Sequence, residues 1–396
     1  MAEPCDVVVV GAGLVGAAAA LGIARGGRRV TLFEHSRPVT QRGRFGMDIR
    51  NVAVSPASQK LLVELGVWDA LQTAPFSGMQ VWEEQGTESI EFSAADVARS
   101  ELGWIVENGP TVDALWQALE RQDGVSLRLG ESLEAVAGSA AGVTLQTNAA
   151  EYSAQLLIGI DGARSKVRQL VGARIEVQPT GHHALATLIE TELPHAGVAF
   201  QRFLLDGPLA LLPTCQPNVS SVVWSQCESS ARTRQSLADE AFCEQIGAAS
   251  EYRLGTVRAV DDRAVFPLAQ QLVRHFNPAP GVLLLGDAAH VLHPLAGLGV
   301  NVGFADVQAL LSRLAAIPLN VDAGQAGLWR SFARQRRMRA QIMLGLMAGF
   351  RSVYAQNDPL LQWARNVGVG WLNRTPTLKH QLMKEALGLG PFMQRR

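Results

Sequence analysis

The feature that most constrains this chain is Gly11-Ala12-Gly13-Leu14-Val15-Gly16, set between an apolar run, Asp6 to Val10, and a helix-patterned stretch, Ala17 to Arg25. A second strand-like run, Arg29 to Glu34, follows. Strand, glycine turn, helix and strand make a βαβ start, which commits the chain to a parallel sheet. The three glycines do different things. Gly11 permits the tight turn, Gly13 lets backbone approach a pyrophosphate, and Gly16 lets helix and strand pack closely. The helix N-terminus adds free N–H groups and the positive end of its dipole. Glu34 stands 18 residues after Gly16, where a carboxylate accepts hydrogen bonds from ribose hydroxyls. An acid there disfavours a 2′-phosphate, so the expected ligand is NAD or FAD rather than NADP.

Two later motifs sit in similar positions. Gly159-Ile160-Asp161-Gly162-Ala163-Arg164-Ser165-Lys166-Val167-Arg168 follows the apolar strand Gln155 to Ile158. Taken alone it also admits the reading of an Asp-Gly turn capping a helix. Gly286-Asp287-Ala288-Ala289-His290 follows the strand Val282 to Leu285 and precedes Pro294, Gly297, Gly299 and Asn301. A strand ending on an acid, then a glycine-rich turn opening a helix near Val302, suits a carboxylate on a ribityl hydroxyl and backbone N–H groups near a flavin ring.

The chain has 396 residues, enough to bury a large cofactor, and no repeat or Pro/Ser-rich linker divides it. Its 35 basic and 36 acidic residues leave a net charge of −1, which recommends no nucleic-acid partner. The four cysteines, Cys5, Cys215, Cys227 and Cys243, form no CxxC pair and read as reduced thiols in a cytoplasmic protein. The N-terminus lacks the pattern of a signal peptide, and the most apolar later stretch, Ile342 to Phe350, is too short to span a bilayer. Alternating runs such as Ala184 to Thr191 and Val219 to Ser225 predict antiparallel strands. The expected organisation is an α/β, Rossmann-like FAD-binding domain (glutathione-reductase-like) over 1–75, 102–174 and 266–340. It is interwoven with an antiparallel-sheet substrate domain over 76–101 and 175–265, and a C-terminal helical region follows over 341–396. Helix patterning runs through Arg330 to Tyr354 and Pro359 to Leu387.

The order GxGxxG, then DGxxSxVR, then GDAAHxxxPxxGxGxN resembles the single-component FAD-dependent aromatic hydroxylases over nearly the whole chain. Within that class the sequence most resembles the ubiquinone-biosynthesis flavin hydroxylases. The supporting stretches include Leu65-Gly66-Val67-Trp68, Ile105-Val106-Glu107-Asn108, Gly207 to Pro213, and a tail with Arg365-Asn366, Gly368, Pro376 and Gly388. The resemblance implies FAD as cofactor, with Gly11, Gly13, Gly16 and Glu34 at its ADP half, and Asp161 and Arg164 where flavin and nicotinamide nucleotide both approach. It implies Gly286 and Asp287 at the ribityl chain, Gly297, Gly299, Val300 and Asn301 along the isoalloxazine edge, and Pro294 near the reactive face. Arg50 and Asn108 match positions that contact FAD phosphate and ribityl. Two residues depart from the pattern: Leu298 stands where relatives often have Gln, and Gly109 where they often have Arg.

The implied reaction is reduction of FAD by an electron donor, NAD(P)H or a small electron-transfer protein, capture of O2, and transfer of one oxygen atom to the ring of a polyprenylated phenol. No catalytic residue is assigned. His293, beside Pro294, is the candidate proton-transfer group and His290 a weaker one, each against the commoner reading of a hydrogen-bonded structural histidine. His182-His183 lacks an acidic or Cys partner at ligand spacing, so no metal is expected. Arg330, Arg334, Arg336, Arg337 and Arg339, followed by Ile342, Met343, Leu344, Leu346, Met347 and Phe350, read as a solvated face beside a core stripe. They read alternatively as a dock for an anionic membrane surface or a ubiquinone-biosynthesis complex, which would place the protein peripherally on a membrane's inner face. Rival readings are another phenolic substrate, a different reaction on the same scaffold, or a non-catalytic FAD-binding assembly subunit. A halogenase would carry a WxWxIP segment, which this chain lacks.

Overall fold

The computed structural model describes residues 5–84, 89–139, 142–292 and 299–354, apart from the side chains of 326 and 346–354. Its α-helices there are α1 (Leu14–Arg25), α2 (Pro56–Glu64), α3 (Asn108–Glu120), α4 (Lys166–Leu170), α5 (Glu228–Gln235), α6 (Asp239–Ala249), α7 (Gly299–Ala315) and α8 (Ala326–Tyr354). The helical patterning at Pro359 to Leu387 lies outside the described residues.

One sheet sets the strands Val125–Leu129, Val30–Glu34, Cys5–Val10, Glu151–Gly159 and Val282–Leu284 side by side and parallel. Val7 to Val9, Leu156 to Ile158 and Val282 to Leu284 are all wholly buried, the unbroken apolar run of strands covered on both faces. Ala17 to Ala20 of α1 are equally buried, so the helix presents methyl groups to the sheet and lies close against it. Pairing keeps the carboxyl ends level: Val10 sits opposite both Phe33 and Gly159, and Gly159 opposite Leu284. The three motifs, each directly following one of these strands, therefore emerge on one edge of the sheet, where ligands bind in open parallel sheets.

A nine-stranded sheet built largely from Ile175–Thr191, Val198–Leu204, Gly207–Pro213, Val219–Cys227 and Ala264–Val273 also takes in Gly78–Glu83 and Ser89–Ser93. The stretch near residues 76–101 thus joins the sheet of residues 175–273, with Gly78–Glu83 pairing parallel to Val198–Leu204. Leu185, Ile189, Leu209, Leu211, Val222 and Trp224 point to one face and bury Phe242 and Ile246 of α6. The opposite face meets Met47 through Leu188 and Val219, and Ile105 through Leu212.

The basic run of α8 is not one solvated face, which corrects part of the expectation from sequence. Arg330 and Arg334 are exposed, but Arg336 points inward and is 3% exposed. Among the described residues no helix is long and apolar enough to cross a membrane.

Candidate functional site

The glycine turn is braced before any ligand arrives. Gly11 has φ +99°, a region L side chains rarely adopt, and a Cβ there would lie 2.5 Å from the Ile160 carbonyl oxygen. A Cβ on Gly16 would lie 1.9 Å from the Gly11 carbonyl oxygen, so helix and turn are in backbone contact. Gly13, with ordinary extended backbone angles at the N-cap of α1, differs: among the described residues no atom lies within 4 Å of a Cβ built there. That missing side chain faces open space at a helix N-terminus. Ala12 between them is held from both sides, its N–H donating to Glu34 Oε2 at 2.6 Å and its carbonyl accepting from Trp116 Nε1 at 2.9 Å. Glu34 Oε1 accepts from the His35 N–H at 2.8 Å.

A cleft of about 1010 Å³ runs along this edge. Gly11, Gly13, Gly16, Glu34, Arg50, Asn108, Asp161, Arg164, Asp287 and Val300 line it, so residues far apart in sequence share one wall. Its volume is at the upper end for small-molecule sites, as an elongated dinucleotide requires. Gly286, Gly299 and Asn301 do not line it. Asn301 is buried and committed elsewhere: its Oδ1 accepts from the Ser55 N–H at 2.8 Å and Ser58 Oγ at 2.7 Å, and its Nδ2 donates to the Ala53 carbonyl at 2.7 Å. Its side chain staples the start of α7 to α2. His293, Pro294, Gly297 and Leu298 lie outside the described residues.

Asp161 performs the capping role that was the alternative reading of its motif, and lines the cleft as well. Its carboxylate accepts from Ser165 Oγ at 2.5 Å, the Lys166 N–H at 2.6 Å and the Val167 N–H at 3.0 Å, at the start of α4. Arg164 is exposed at the cleft. The buried Arg168 clamps two motifs together: Nη2 donates to the Ala163 carbonyl at 2.7 Å and Nη1 to the Ala288 carbonyl at 3.0 Å. Burial pulls its guanidinium below the usual arginine range, and Asp161 opposes that shift.

At the third motif, Asp287 opens into the cleft while its neighbours are buried. Crowding by protein raises its carboxyl above the usual range; His290 opposes the shift and Asp306 adds to it. His290 is 2% exposed, stacks on Phe276 and bonds through Nε2 to Asp306 Oδ2 at 2.6 Å, so it is a structural histidine facing away from the cleft.

The Arg50 side chain reaches the cleft while Asp48, 2% exposed, holds its base. Asp48 accepts from the Arg50 N–H at 2.9 Å and the Gly109 N–H at 3.0 Å, and lies 3.5 Å from the guanidinium. A Cβ on Gly109 would meet Asp48 Oδ2 at 2.9 Å. This chain therefore has a carboxylate packed where a side chain on residue 109 would stand. Sequence reasoning also passed over Glu131 to Glu134, which line the cleft from the loop after Val125–Leu129 and the first two residues of the strand Leu133–Ser139. No motif marks that loop; only its position after the outer parallel strand could have pointed to it.

The FAD binding domain family matches residues 4–345. The chain is 36% identical to the 3-demethoxyubiquinol 3-hydroxylase of Escherichia coli over 98% of this chain and 99% of that protein. It is 31% identical to the ubiquinone hydroxylase UbiL of Rhodospirillum rubrum, over 98% and 91% respectively. It is 30% identical to the human mitochondrial ubiquinone biosynthesis monooxygenase COQ6, over 96% and 91%. The fold matches that of p-nitrophenol 4-monooxygenase PnpA from Pseudomonas putida with a TM-score of 0.80 at 20% identity, covering 98% of this chain and all of that one. It also matches aklavinone-11 hydroxylase, in a structure with FAD and aklavinone, with a TM-score of 0.67 at 22% identity over 89% and 69%.

Proposed function

The chain belongs to the FAD-dependent hydroxylases of ubiquinone biosynthesis, and from that membership we propose that it inserts one atom of O2 into the aromatic ring of a polyprenylated phenol. The observation that carries the cofactor assignment is the level ending of parallel strands, which brings three separated motifs onto one elongated cleft. The open space at Gly13 is a cradle that any side chain would fill, so the cleft fits FAD. In this reading Gly11, Gly13 and Gly16 hold the pyrophosphate at the start of α1, and Glu34 takes a ribose hydroxyl while bracing the turn through Ala12. Arg50 neutralises phosphate, Asp287 accepts from the ribityl chain, and Asn108 and Val300 flank the flavin end. Asp161 and Arg164 form the rim where NAD(P)H approaches as donor. Gly286, Gly299 and Asn301 act through the backbone they shape. FAD when bound supplies the O2 chemistry that side chains cannot, and the chain's residues bind and orient it.

The ring would lie against the face of the nine-stranded sheet that α5 and α6 leave free. Ala186, Val223 and Ala210 stand side by side there in one row across three strands, by pairing and alternation. Their small apolar side chains suit contact with an apolar ring. With His290 tied to Asp306, no described histidine of the third motif faces the cleft as a base.

The outer face of α8 carries Arg330 and Arg334 followed by Met338 and Ile342, 54% and 41% exposed, and this face would rest on an anionic membrane or the complex that supplies the substrate. Replacing Arg330 and Arg334 by Gln should release the protein from anionic vesicles; unaltered binding removes the membrane reading. The reaction itself is tested in cells lacking this gene. An under-hydroxylated prenylphenol should accumulate and be cleared by the wild type but not by Asp287→Ala. An unchanged quinone pool, with FAD bound by the purified protein, would sink the substrate and keep the fold.

A further inference from the structure

Asp306 is a wholly buried carboxylate in α7, outside the cleft, and the cofactor roles above leave it unused. An unpaired anion in that position is too costly to persist, so its partners matter. Arg336 of α8, itself 3% exposed, places Nε 2.5 Å from Asp306 Oδ1. His290 Nε2 lies 2.6 Å from Oδ2, and the Gly286 N–H donates to the same oxygen at 3.0 Å. Burial alone would raise the Asp306 carboxyl, but Arg336 and His290, with the hydrogen bonds of His290 and Gly286, outweigh it and hold the group ionised well below the usual range.

The geometry is selective. Gly286 immediately precedes Asp287, and His290 closes the same turn three residues later. Both ends of the turn thus hang from one carboxylate, while Arg168 holds its middle through the Ala288 carbonyl at 3.0 Å. Gly286 adopts φ +55°, a left-handed conformation that the bond from its N–H to Asp306 helps to fix. Within the turn, only Asp287 opens into the cleft. If packing were the sole need, apolar residues would do as well or better than buried charges. A directional anchor for the turn is what the charges add.

We infer that Asp306, with Arg336 and His290, is a positioning device that sets Asp287 against the ribityl end of the cofactor, so that α8 holds the flavin site through a buried ion pair. This rests on the FAD reading of the cleft. Arg336 then matters to flavin binding although it lies in a helix beyond all three motifs.

The test compares apo and FAD-loaded full-length protein. Asp306→Asn should lose thermal stability, because it leaves the Arg336 guanidinium buried without its anion. Asp306→Asn combined with Arg336→Met removes both charges and should recover apo stability. Its FAD Kd should nevertheless stay raised about tenfold, with altered visible circular dichroism of the bound flavin, since the turn has lost its charged acceptor. Leu314→Ala, a core truncation elsewhere in α7, should lower stability and leave Kd and dichroism at wild-type values. A double variant with wild-type Kd and dichroism would overturn the inference. Should Asp306→Asn or the double variant not fold, Arg336→Lys keeps the charge on a different donor geometry and is measured in the same way: a raised Kd with altered dichroism supports the inference, and wild-type values overturn it. Failure of the wild type to take up FAD would instead refute the cofactor assignment, which keeps the two failures apart.

Discussion

Gly13 and Gly16 look equivalent in the motif, yet the structure predicts opposite outcomes when each is changed to Ala. At Gly16 the new Cβ would sit 1.9 Å from the Gly11 carbonyl oxygen, below the 3.0 Å that real Cβ contacts essentially respect, so turn and helix must part by about 1.1 Å. Overpacking of this kind costs about 1–3 kcal/mol, of which the better helix propensity of Ala returns at most ~1 kcal/mol. Apo and loaded forms should both be less stable. At Gly13 the backbone is already in an ordinary region and the new methyl meets nothing; a stiffer unfolded chain favours Ala by about 0.4–1 kcal/mol, the preference for Gly over Ala at a helix N-cap takes back a similar amount, and the apo protein should melt close to the wild type. The methyl instead occupies the space where backbone approaches pyrophosphate. Losing one charge-assisted hydrogen bond there, about 1.5–3 kcal/mol, raises the FAD Kd roughly ten- to a hundredfold. Thermal melting of deflavinated protein followed by flavin-fluorescence titration measures both effects. Gly13→Ala binding FAD like the wild type, or Gly16→Ala melting like it, would refute the reasoning.

The other sites predict as follows. Asp306 has a folded-state pKa held below its unfolded value near 3.9, so its contribution is complete above the unfolded value and is lost as pH falls from there through the lower folded-state value; Asp306→Asn should flatten the acid limb of apo stability below about pH 4. Asp287 has the opposite sign: its pKa is raised, so the anion weakens the apo fold above that pKa. Asp287→Asn should melt higher at neutral pH while losing FAD affinity, measurable on the same samples. Arg168→Met strands the Ala163 and Ala288 carbonyls and should cost about 2–4 kcal/mol with weakened FAD binding, read by denaturant titration. Gly109→Arg should destabilise by about 1–3 kcal/mol because its Cβ presses on the buried Asp48 carboxylate; wild-type melting would show that Asp48 yields.

Much of the cleft was legible because its parts follow strands: a glycine or acid just after an apolar run must lie at a sheet edge, and parallel pairing levels those edges. The same reasoning could not separate roles within a motif. Asn301 shares the glycine-rich stretch with Val300, yet its side chain turns to Ser55 and Ser58 and only Val300 lines the cleft. Asp161 proved to be a helix cap and a cleft residue together, since a carboxylate after a strand can serve both. Arg336 was hidden among five similar residues, because a helix of many arginines carries no mark of which one meets a buried acid 30 residues earlier. Long-range ion pairs of this kind have no local signal, and neither has the loop of Glu131 to Glu134.

Oxygen insertion on a cleft-bound flavin is tested most directly by mass analysis of the product when the FAD-loaded protein, NAD(P)H and a prenylated phenol react under isotopically heavy O2. The expected product is a hydroxylated ring carrying one heavy oxygen atom, formed only with FAD present and not by Asp287→Ala. Donor oxidation with the phenol recovered unchanged, or a hydroxyl whose oxygen comes from water, would contradict it.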